Sequence, residues 1–288
     1  MQNLLLQLDT DTQPSTFDSV VAIDSGADTM FRHGGVTPEQ VAGLVHGLIF
    51  TRAPSKLKHS AIYIGGSNVD AAEGLLRAVQ KSFFGAMRVS VMMDANGANT
   101  TAAAAVICGS RHLPLSGAQA LVLGGTGPVG QRAARLLIRA GAKVRLASRS
   151  QEKAHQACQQ IGADLQLESP EPIVINDASS TKAALAGVQL LIAAGAAGVT
   201  LVPQATRQNA SDLKVAIDLN AVPPVGLEGI ESFDKAAEKD NQVCYGAIGV
   251  GGTKMAIHRA AIRRLFESND LVLNAEEIYE LGLQLEDH

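Results

Sequence analysis

The residues Gly125-Thr126-Gly127-Pro128-Val129-Gly130 carry the spacing G-x-G-x-x-G between an apolar run, Ala120 to Leu123, and a segment of helical periodicity, Gln131 to Ala140. Glycines at such a junction suit phosphate chemistry. Gly125 would permit the tight turn, Gly127 would let the backbone approach a pyrophosphate, and Gly130 would let the helix pack on its strand. Pro128 loses no hydrogen bond in a first helical turn, and with Thr126 and Val129 it leaves the free amides of a helix N-terminus facing an anion. A second strand pattern, Lys143 to Ala147, follows at the distance expected of a βαβ unit, which separates this motif from chance glycines.

The residues after that second strand distinguish between dinucleotides. A carboxylate there would accept from a ribose 2′-hydroxyl, whereas a 2′-phosphate needs cations and hydroxyls. Ser148-Arg149-Ser150 occupies the position, Lys153 follows one helical turn later, and the only nearby acid is Glu152. The pattern predicts NADP, with Arg149 forking onto the phosphate or stacking on the adenine.

Other polar residues gather past the ends of strand patterns in the first third of the chain. Asp9, Thr10 and Asp11 follow one such run, and Asp94, Asn96, Asn99, Thr100 and Thr101 follow another. Asp18 and Asp24 are placed at the end of the first helix. Open α/β sheets bind ligands at carboxyl ends of strands, so two clusters at equivalent positions form a candidate site. A third cluster, Gly249-Val250-Gly251-Gly252-Thr253-Lys254, reads as a glycine-rich approach to a helix, with Lys254 in its first turn against the helix dipole. His258 reads as a packing or surface residue, because no serine or cysteine nucleophile pattern accompanies it.

The elements that must position these groups alternate along the chain. Strands are predicted at Asn3–Leu8, Ala61–Ile64 and Arg88–Met93, with helices at Pro14–Ala22, from Thr37 to about Thr51, at Asn68–Ser82 and at Asn99–Gly109. A second α/β unit follows with six strand candidates, the later ones at Pro172–Ile175, Gln189–Ala193, Val215–Asp218 and Val243–Ala247, and with a helix at Gln151–Gln160. Helices from about Gly252 to Phe266 and from Ala275 to Leu285 close the pattern. The predicted fold class is α/β: a Rossmann-type dinucleotide domain over 113–254 and a smaller α/β substrate domain over 1–112 with 255–288, with the active-site cleft between them.

Composition agrees with that class. The chain has 288 residues, 46% of them hydrophobic and 18% charged, which excludes long disordered tails. A net charge of -4 gives no electrostatic footprint for nucleic acid, and 28 glycines beside 3% aromatics suit close backbone approaches over stacking platforms. Cys108, Cys158 and Cys244 are too scattered for a disulfide framework or a zinc site, so no metal and a reducing cytoplasm are expected. The apolar stretch Leu190 to Val202 is too short to span a bilayer, and no membrane role is expected.

Several long segments are not generic to Rossmann proteins: "LDTDTQPSTFD", "SGAD", "VTPEQV", "MDANGANTTAAA", "GGTGPVG", "DLNAVPPVGLEGI", "YGAIGVGGTKMAIHRA" and "LFES". On these the chain resembles the NADP-dependent methylene-tetrahydromethanopterin dehydrogenases of bacterial one-carbon metabolism, some of which accept or prefer methylene-tetrahydrofolate. The resemblance implies an N-terminal pterin domain, an NADP domain, a homo-oligomer, and oxidation of a methylene bridge to a methenyl bridge by direct hydride transfer to the nicotinamide. The cation formed is delocalised over two pterin nitrogens, so the hydride step needs no protein acid or base, and the protein supplies orientation and electrostatics. In that setting Asp18 or Asp94 would favour the developing charge, Lys254 would hydrogen-bond a pterin oxygen or order the site, and Asp11, Asp24, Asn99 and Thr100 would contact substrate. Asn220 is expected at the nicotinamide amide.

One departure limits the resemblance. Related folate dehydrogenase/cyclohydrolases carry a Tyr-x-x-x-Lys pair, and none of Tyr63, Tyr245 and Tyr279 has a lysine four positions later, which argues against cyclohydrolase chemistry and against the short-chain dehydrogenases. Two competing readings remain at this stage. A shikimate- or quinate-type dehydrogenase shares the layout but lacks its expected lysine after Asn99-Thr100-Thr101, and a non-catalytic NADP-binding sensor would not need the polar clusters.

Overall fold

The computed structural model describes residues 1–287. Two compact units divide the chain, Met1–Thr100 with Met255–His288 and Thr101–Lys254, so the division passes through two helices instead of falling near residue 112 in a loop.

The first unit is built from β1 (Leu4–Asp9), α1 (Thr16–Asp24), β2 (Thr29–His33), α2 (Pro38–Ile49), β3 (Ser60–Gly65), α3 (Val69–Lys81), β4 (Ser90–Met93) and the start of α4 (Ala98–Ser110). Local chemistry sets these bounds. Ser15 caps α1 by accepting from the Asp18 amide, Pro38 opens α2 in a capping box of Thr37 with Gln40, and Asn68 caps α3 by accepting from the Ala71 amide. α3 buries Val69, Ala72, Leu75, Leu76 and Val79, one helical stripe against the sheet side.

The second unit carries the rest of α4, then β5 (Gln119–Leu123), α5 (Pro128–Arg139), β6 (Lys143–Ser148), α6 (Gln151–Leu165), β7 (Glu171–Val174), α7 (Ala178–Leu185), β8 (Leu190–Ala193), α8 (Gln204–Gln208), β9 (Val215–Asp218), β10 (Ala237–Lys239), β11 (Gln242–Tyr245) and the start of α9 (Ala247–Arg264). After α9 the chain adds β12 (Val272–Leu273) and α10 (Ala275–Glu286) to the first unit.

The first sheet has the order β12-β4-β3-β1-β2 with every pair parallel. The second has the order β10-β11-β9-β8-β5-β6-β7, parallel except for β10 against β11. Each sheet reverses its winding once, between β1 and β3 in the first and between β5 and β8 in the second. Those reversals create the crevices at strand carboxyl ends where such sheets take ligands. Strands buried on both faces hold them rigidly: Leu121, Leu191 and Ala216 are fully buried in the second core with Val188, Val202 and Leu227. No helix among the described residues is long and apolar enough to cross a membrane.

The sequence-derived bounds need correction in three places. β2, β10 and β12 are additional strands, all at sheet edges and partly exposed. α7, held by an Asp177 and Ser180 capping box, and the short α8 are additional helices. α9 begins at Ala247, so the glycines 249, 251 and 252 lie inside the helix and Lys254 stands beyond its first turn. Close packing accounts for two of the glycines here, since a Cβ on Gly249 would collide with the Asp234 carbonyl and one on Gly246 with the Glu231 carbonyl, whereas a Cβ on Gly251 or Gly252 would meet nothing within 4 Å.

Candidate functional site

The crevice of the second unit is a cavity of about 500 Å³ lined by the loops that follow β5, β6, β7 and β8. Gly124 and Gly127 form one wall with Thr126. Ser148, Arg149, Ser150 and Lys153 form another, with Ile175 and the segment from Ala194 to Leu201 opposite. The residue that takes the left-handed turn is Gly124, at φ +67, one position before the glycine the sequence assigned to it. A Cβ there would sit 2.5 Å from the Cα of Gly195, so the β5 and β8 loops meet backbone to backbone. Gly125 serves packing instead, since its Cβ would lie 2.5 Å from Leu146 Cγ.

Gly130 brings α5 onto its strand: a Cβ would stand 2.5 Å from the Gly124 carbonyl oxygen. Gly127 differs from both. It is the N-cap of α5, and the closest protein atom to its Cβ position is the Gly124 oxygen at 3.3 Å. Absence of a side chain at Gly127 therefore keeps cavity space open, and not merely protein packing. Pro128 and Val129 then open α5, whose first amides point to this end of the sheet.

The β6 loop is ordered by its own serines. Ser148 Oγ accepts from the Ser150 amide at 3.2 Å, and Ser150 Oγ accepts from the Lys153 amide at 3.3 Å as the cap of α6. Arg149 is exposed between them. Asn220 is placed elsewhere: it is absent from the cavity lining, its amide nitrogen donates to the Pro224 carbonyl, and its oxygen accepts from the Val222 amide. It shapes the turn after β9, around a buried Asp218 that accepts from the Asn220 and Leu227 amides.

At the crevice of the first unit the strands β1 and β3 end on Asp9 and Gly65. A Cβ on Gly65 would lie 3.0 Å from Asp9 Oδ2, 3.2 Å from Tyr63 Cε1 and 3.7 Å from Asp18 Oδ2, so these side chains crowd one point. Asp18 is in the first turn of α1, not at its end. Burial pushes its carboxyl above the usual carboxylate range, and Asp94 adds to the rise, while His258, Ser15 and Tyr63 oppose it. Burial and the charges of Asp18 and Asp94 push the Tyr63 phenol well above its ordinary value.

Asp94 is 1% exposed and has another task than the sequence gave it. Its Oδ1 accepts from the Asn99 and Thr100 amides at 2.9 and 3.0 Å, and its Oδ2 accepts from the Thr100 hydroxyl at 2.6 Å. It caps α4. Asn99 and Thr100 are buried with it, and the Asn99 side chain donates to the Met93 carbonyl and to Asn274 Oδ1, so both serve the interior in place of the expected substrate contacts. Asp11 accepts from the amide and hydroxyl of Ser67, tying the β1 loop to the β3 loop. Asp24 is exposed at the far end of α1 and does not join the cluster. Lys254 is half-buried on α9.

Beside Asp9, which the sequence placed at a strand end, two residues belong to this cluster that sequence reasoning did not put in a site, Tyr63 and His258. Asp9 is fully buried and orders the loop by accepting from the Asp11 and Ser15 amides. Tyr63 stacks on His258, with ring centroids 5.8 Å apart and planes 17° apart, and both rings are 1% exposed.

Comparison with known proteins agrees with the two crevices. The family model described as methylene-tetrahydromethanopterin dehydrogenase, N-terminal, matches residues 16–96. The chain is 43% identical over 286 residues to the bifunctional protein MdtA of Methylorubrum extorquens, covering 99% of each. The chain belongs to the methylene-tetrahydromethanopterin dehydrogenase family. A second relative in this family, the NAD(P)-dependent methylenetetrahydromethanopterin dehydrogenase of the same organism, is 29% identical over 94% of each chain. A short-chain dehydrogenase model matches residues 118–227, the part of the second unit that holds the nucleotide-type crevice. Among solved structures, a shikimate 5-dehydrogenase from Mycobacterium fortuitum covers 98% of both chains at a TM-score of 0.53 and 14% identity, which shows a common fold.

Proposed function

We propose that the protein catalyses the reversible oxidation of methylene-tetrahydromethanopterin, or methylene-tetrahydrofolate, to the methenyl form with NADP as hydride acceptor. The observation that carries the cofactor reading is the cavity of the second unit, where Ser148, Arg149, Ser150 and Lys153 meet a glycine wall with no carboxylate among the lining residues. A 2′-phosphate finds cations and hydroxyls there, and Gly127 leaves room for a pyrophosphate that a Cβ would fill. The substrate reading is supported by the 43% identical relative and by the pterin-family match over residues 16–96. A shikimate- or quinate-type activity is not favoured, because that likeness is one of fold at 14% identity.

In this reading the first unit takes the pterin and the second the nucleotide. The nicotinamide, when bound, supplies a carbon that accepts hydride. The chain's own residues hold the reactants and shape the charge around them. Ionised Asp18 favours the positive charge that develops on the one-carbon unit, from a site whose carboxylate is largely withdrawn from water. Asp94 fixes the start of α4 and adds its charge near Asp18. Lys254 orders or hydrogen-bonds the pterin and moves no proton.

The same reading places the enzyme in a reducing cytoplasm, supported by three buried free thiols, and in a homo-oligomer. Five of the seven phenylalanines are at least 46% exposed, surface that a second copy would cover. The test is an assay matrix of both methylene pterins against NADP and NAD, following reduced-nicotinamide absorbance. Activity with neither pterin would reject the function, and equal use of NAD would reject the phosphate site.

A further inference from the structure

The loop from Ser148 to Ser150 is tied to the next strand of its sheet by more than the strand ladder. β7 pairs with β6 as far as Val174 opposite Ser148, and the Ile175 amide adds one rung by donating to the Ser148 carbonyl at 3.1 Å. Asn176 follows. Its carboxamide nitrogen lies 3.2 Å from the Arg149 carbonyl oxygen and 3.2 Å from the Ile175 carbonyl oxygen. Both neighbours are acceptors, so the network orients the NH2 group between them, with a hydrogen for each. One side chain thus fastens the backbone of the β6 loop to the end of β7.

The backbone that carries this carboxamide is itself fixed. The Asn176 amide donates to Ser180 Oγ at 3.1 Å and the Asp177 amide donates to the same oxygen at 3.0 Å. Asp177 Oδ1 accepts from the Ser180 amide at 2.7 Å, which completes the start of α7.

The bonds of the loop use its acceptors and leave its donors. The carbonyls of Ser148 and Arg149 accept from Ile175 and Asn176, and the hydroxyl oxygens of Ser148 and Ser150 accept from the Ser150 and Lys153 amides. Each hydroxyl keeps its own hydrogen to donate, and the Arg149 guanidinium, exposed at the cavity, has donors alone. A phosphate dianion takes donors only, whereas a ribose 2′-hydroxyl also offers a hydrogen that needs an acceptor. Asn176 acts on this balance by holding the Arg149 carbonyl against the end of β7 while the guanidinium is left to the cavity.

We propose that Asn176 is a positioning residue for nucleotide choice: its carboxamide fixes the backbone of Arg149 and so favours a 2′-phosphorylated nucleotide over one with a free 2′-hydroxyl. The inference rests on the reading of this cavity as the NADP site, and it adds a residue outside the cavity lining.

The experiment is calorimetric titration of the nucleotide-free, full-length protein with 2′,5′-ADP and with 5′-AMP, in the wild type, Asn176→Ala, Asn176→Asp, Arg149→Ala and the Asn176→Ala/Arg149→Ala double variant. Asn176→Ala should weaken 2′,5′-ADP roughly 2- to 13-fold, the span of one net hydrogen bond, and leave 5′-AMP within about twofold. Asn176→Asp has no hydrogen to donate to either carbonyl and should weaken 2′,5′-ADP at least as far. In the Arg149→Ala background the effect of Asn176→Ala should shrink below about twofold, because the guanidinium it positions is gone. Equal weakening of both ligands, or the same loss in both backgrounds, would assign Asn176 to packing at the sheet end and overturn the proposal. A wild type that binds 2′,5′-ADP no tighter than 5′-AMP would reject the phosphate site and this inference with it. A wild-type preference that persists in both Asn176 variants would reject this inference alone.

Discussion

Replacing Gly127 and Gly130 separately by alanine should divide nucleotide binding from stability within one motif. A methyl at Gly130 would meet the Gly124 carbonyl oxygen at 2.5 Å and the Gly125 Cα at 2.8 Å, both backbone atoms that cannot turn away. Overpacking of this kind costs about 1–3 kcal/mol, which at about 2–4 °C per kcal/mol lowers Tm by about 2–12 °C. A methyl at Gly127 has the Gly124 oxygen at 3.3 Å as its closest neighbour, so the free protein loses only the N-cap preference, less than about 1 kcal/mol. That methyl occupies space the pyrophosphate needs, and the same 1–3 kcal/mol then falls on the complex, roughly a 5- to 150-fold rise in Kd. Thermal unfolding with and without NADP reads both effects. At about 100 times the wild-type Kd the ligand stabilises the wild type by about 2.7 kcal/mol, and the Gly127→Ala variant should lose about 0.9–2.4 kcal/mol of that increment while its unliganded Tm falls less than that of Gly130→Ala. If Gly127→Ala instead lowered the unliganded Tm as far as Gly130→Ala and bound NADP normally by calorimetry, the assignment of Gly127 to the phosphate would be refuted.

Arg149→Ala should raise KM for NADP about tenfold to a hundredfold and leave NAD kinetics nearly unchanged, a selectivity readable by steady-state assays with both nucleotides. Asp94→Ala removes the acceptor of two buried amides and one hydroxyl and should cost about 2–5 kcal/mol by urea unfolding, whatever it does to the rate. The folded state holds the Asp18 proton more tightly than the unfolded chain does, so stability falls as pH rises from the ordinary carboxylate range through the raised Asp18 value and is level above it. Asp18→Asn should therefore raise Tm at neutral pH relative to acid pH while slowing oxidation, and an unchanged Tm difference across pH would show that Asp18 is not the raised group. The Cys158 thiol, pushed up to about 11 by burial, should resist alkylation at pH 8 until denaturant is added, as followed by mass spectrometry.

The nucleotide crevice was legible because its signals are local. Glycine spacing, a preceding apolar strand and the residues at Ser148 to Ser150 lie within one βαβ unit, where the structure changed which glycine turns the chain, whereas Asn220, expected at the cofactor from far along the chain, is placed outside the cavity lining. The carboxylate cluster of the first unit was less legible because its parts come from five places in the chain. Tyr63 sits inside the apolar run Ala61 to Ile64, where an aromatic residue is indistinguishable from core, and His258 lies nearly two hundred residues away. Asp94 was seen as a strand-end carboxylate, but whether such a group caps the next helix or faces a ligand depends on loop geometry, here a turn with Asn96 at φ 53. β2 escaped because Thr29 to His33 is exposed on an edge and shows no alternating pattern, and the start of α9 because glycines that permit a neighbouring loop to approach also look like a loop themselves.

The short strand β12 gives the molecule an order of assembly. It pairs with β4 through Val272 and Val91, and the Ser90 hydroxyl donates to the Ser268 carbonyl, so an edge of the first sheet is made from residues that emerge last. During synthesis every strand of the second sheet leaves the ribosome before the first sheet can close. The second unit can therefore have all its strands, and gain stability from a bound nicotinamide cofactor, while the first unit still waits for its final strand. A chain stopped before β12 would be a nucleotide-holding fragment without a finished partner, and cells that make such fragments would sequester cofactor in a protein unable to use it.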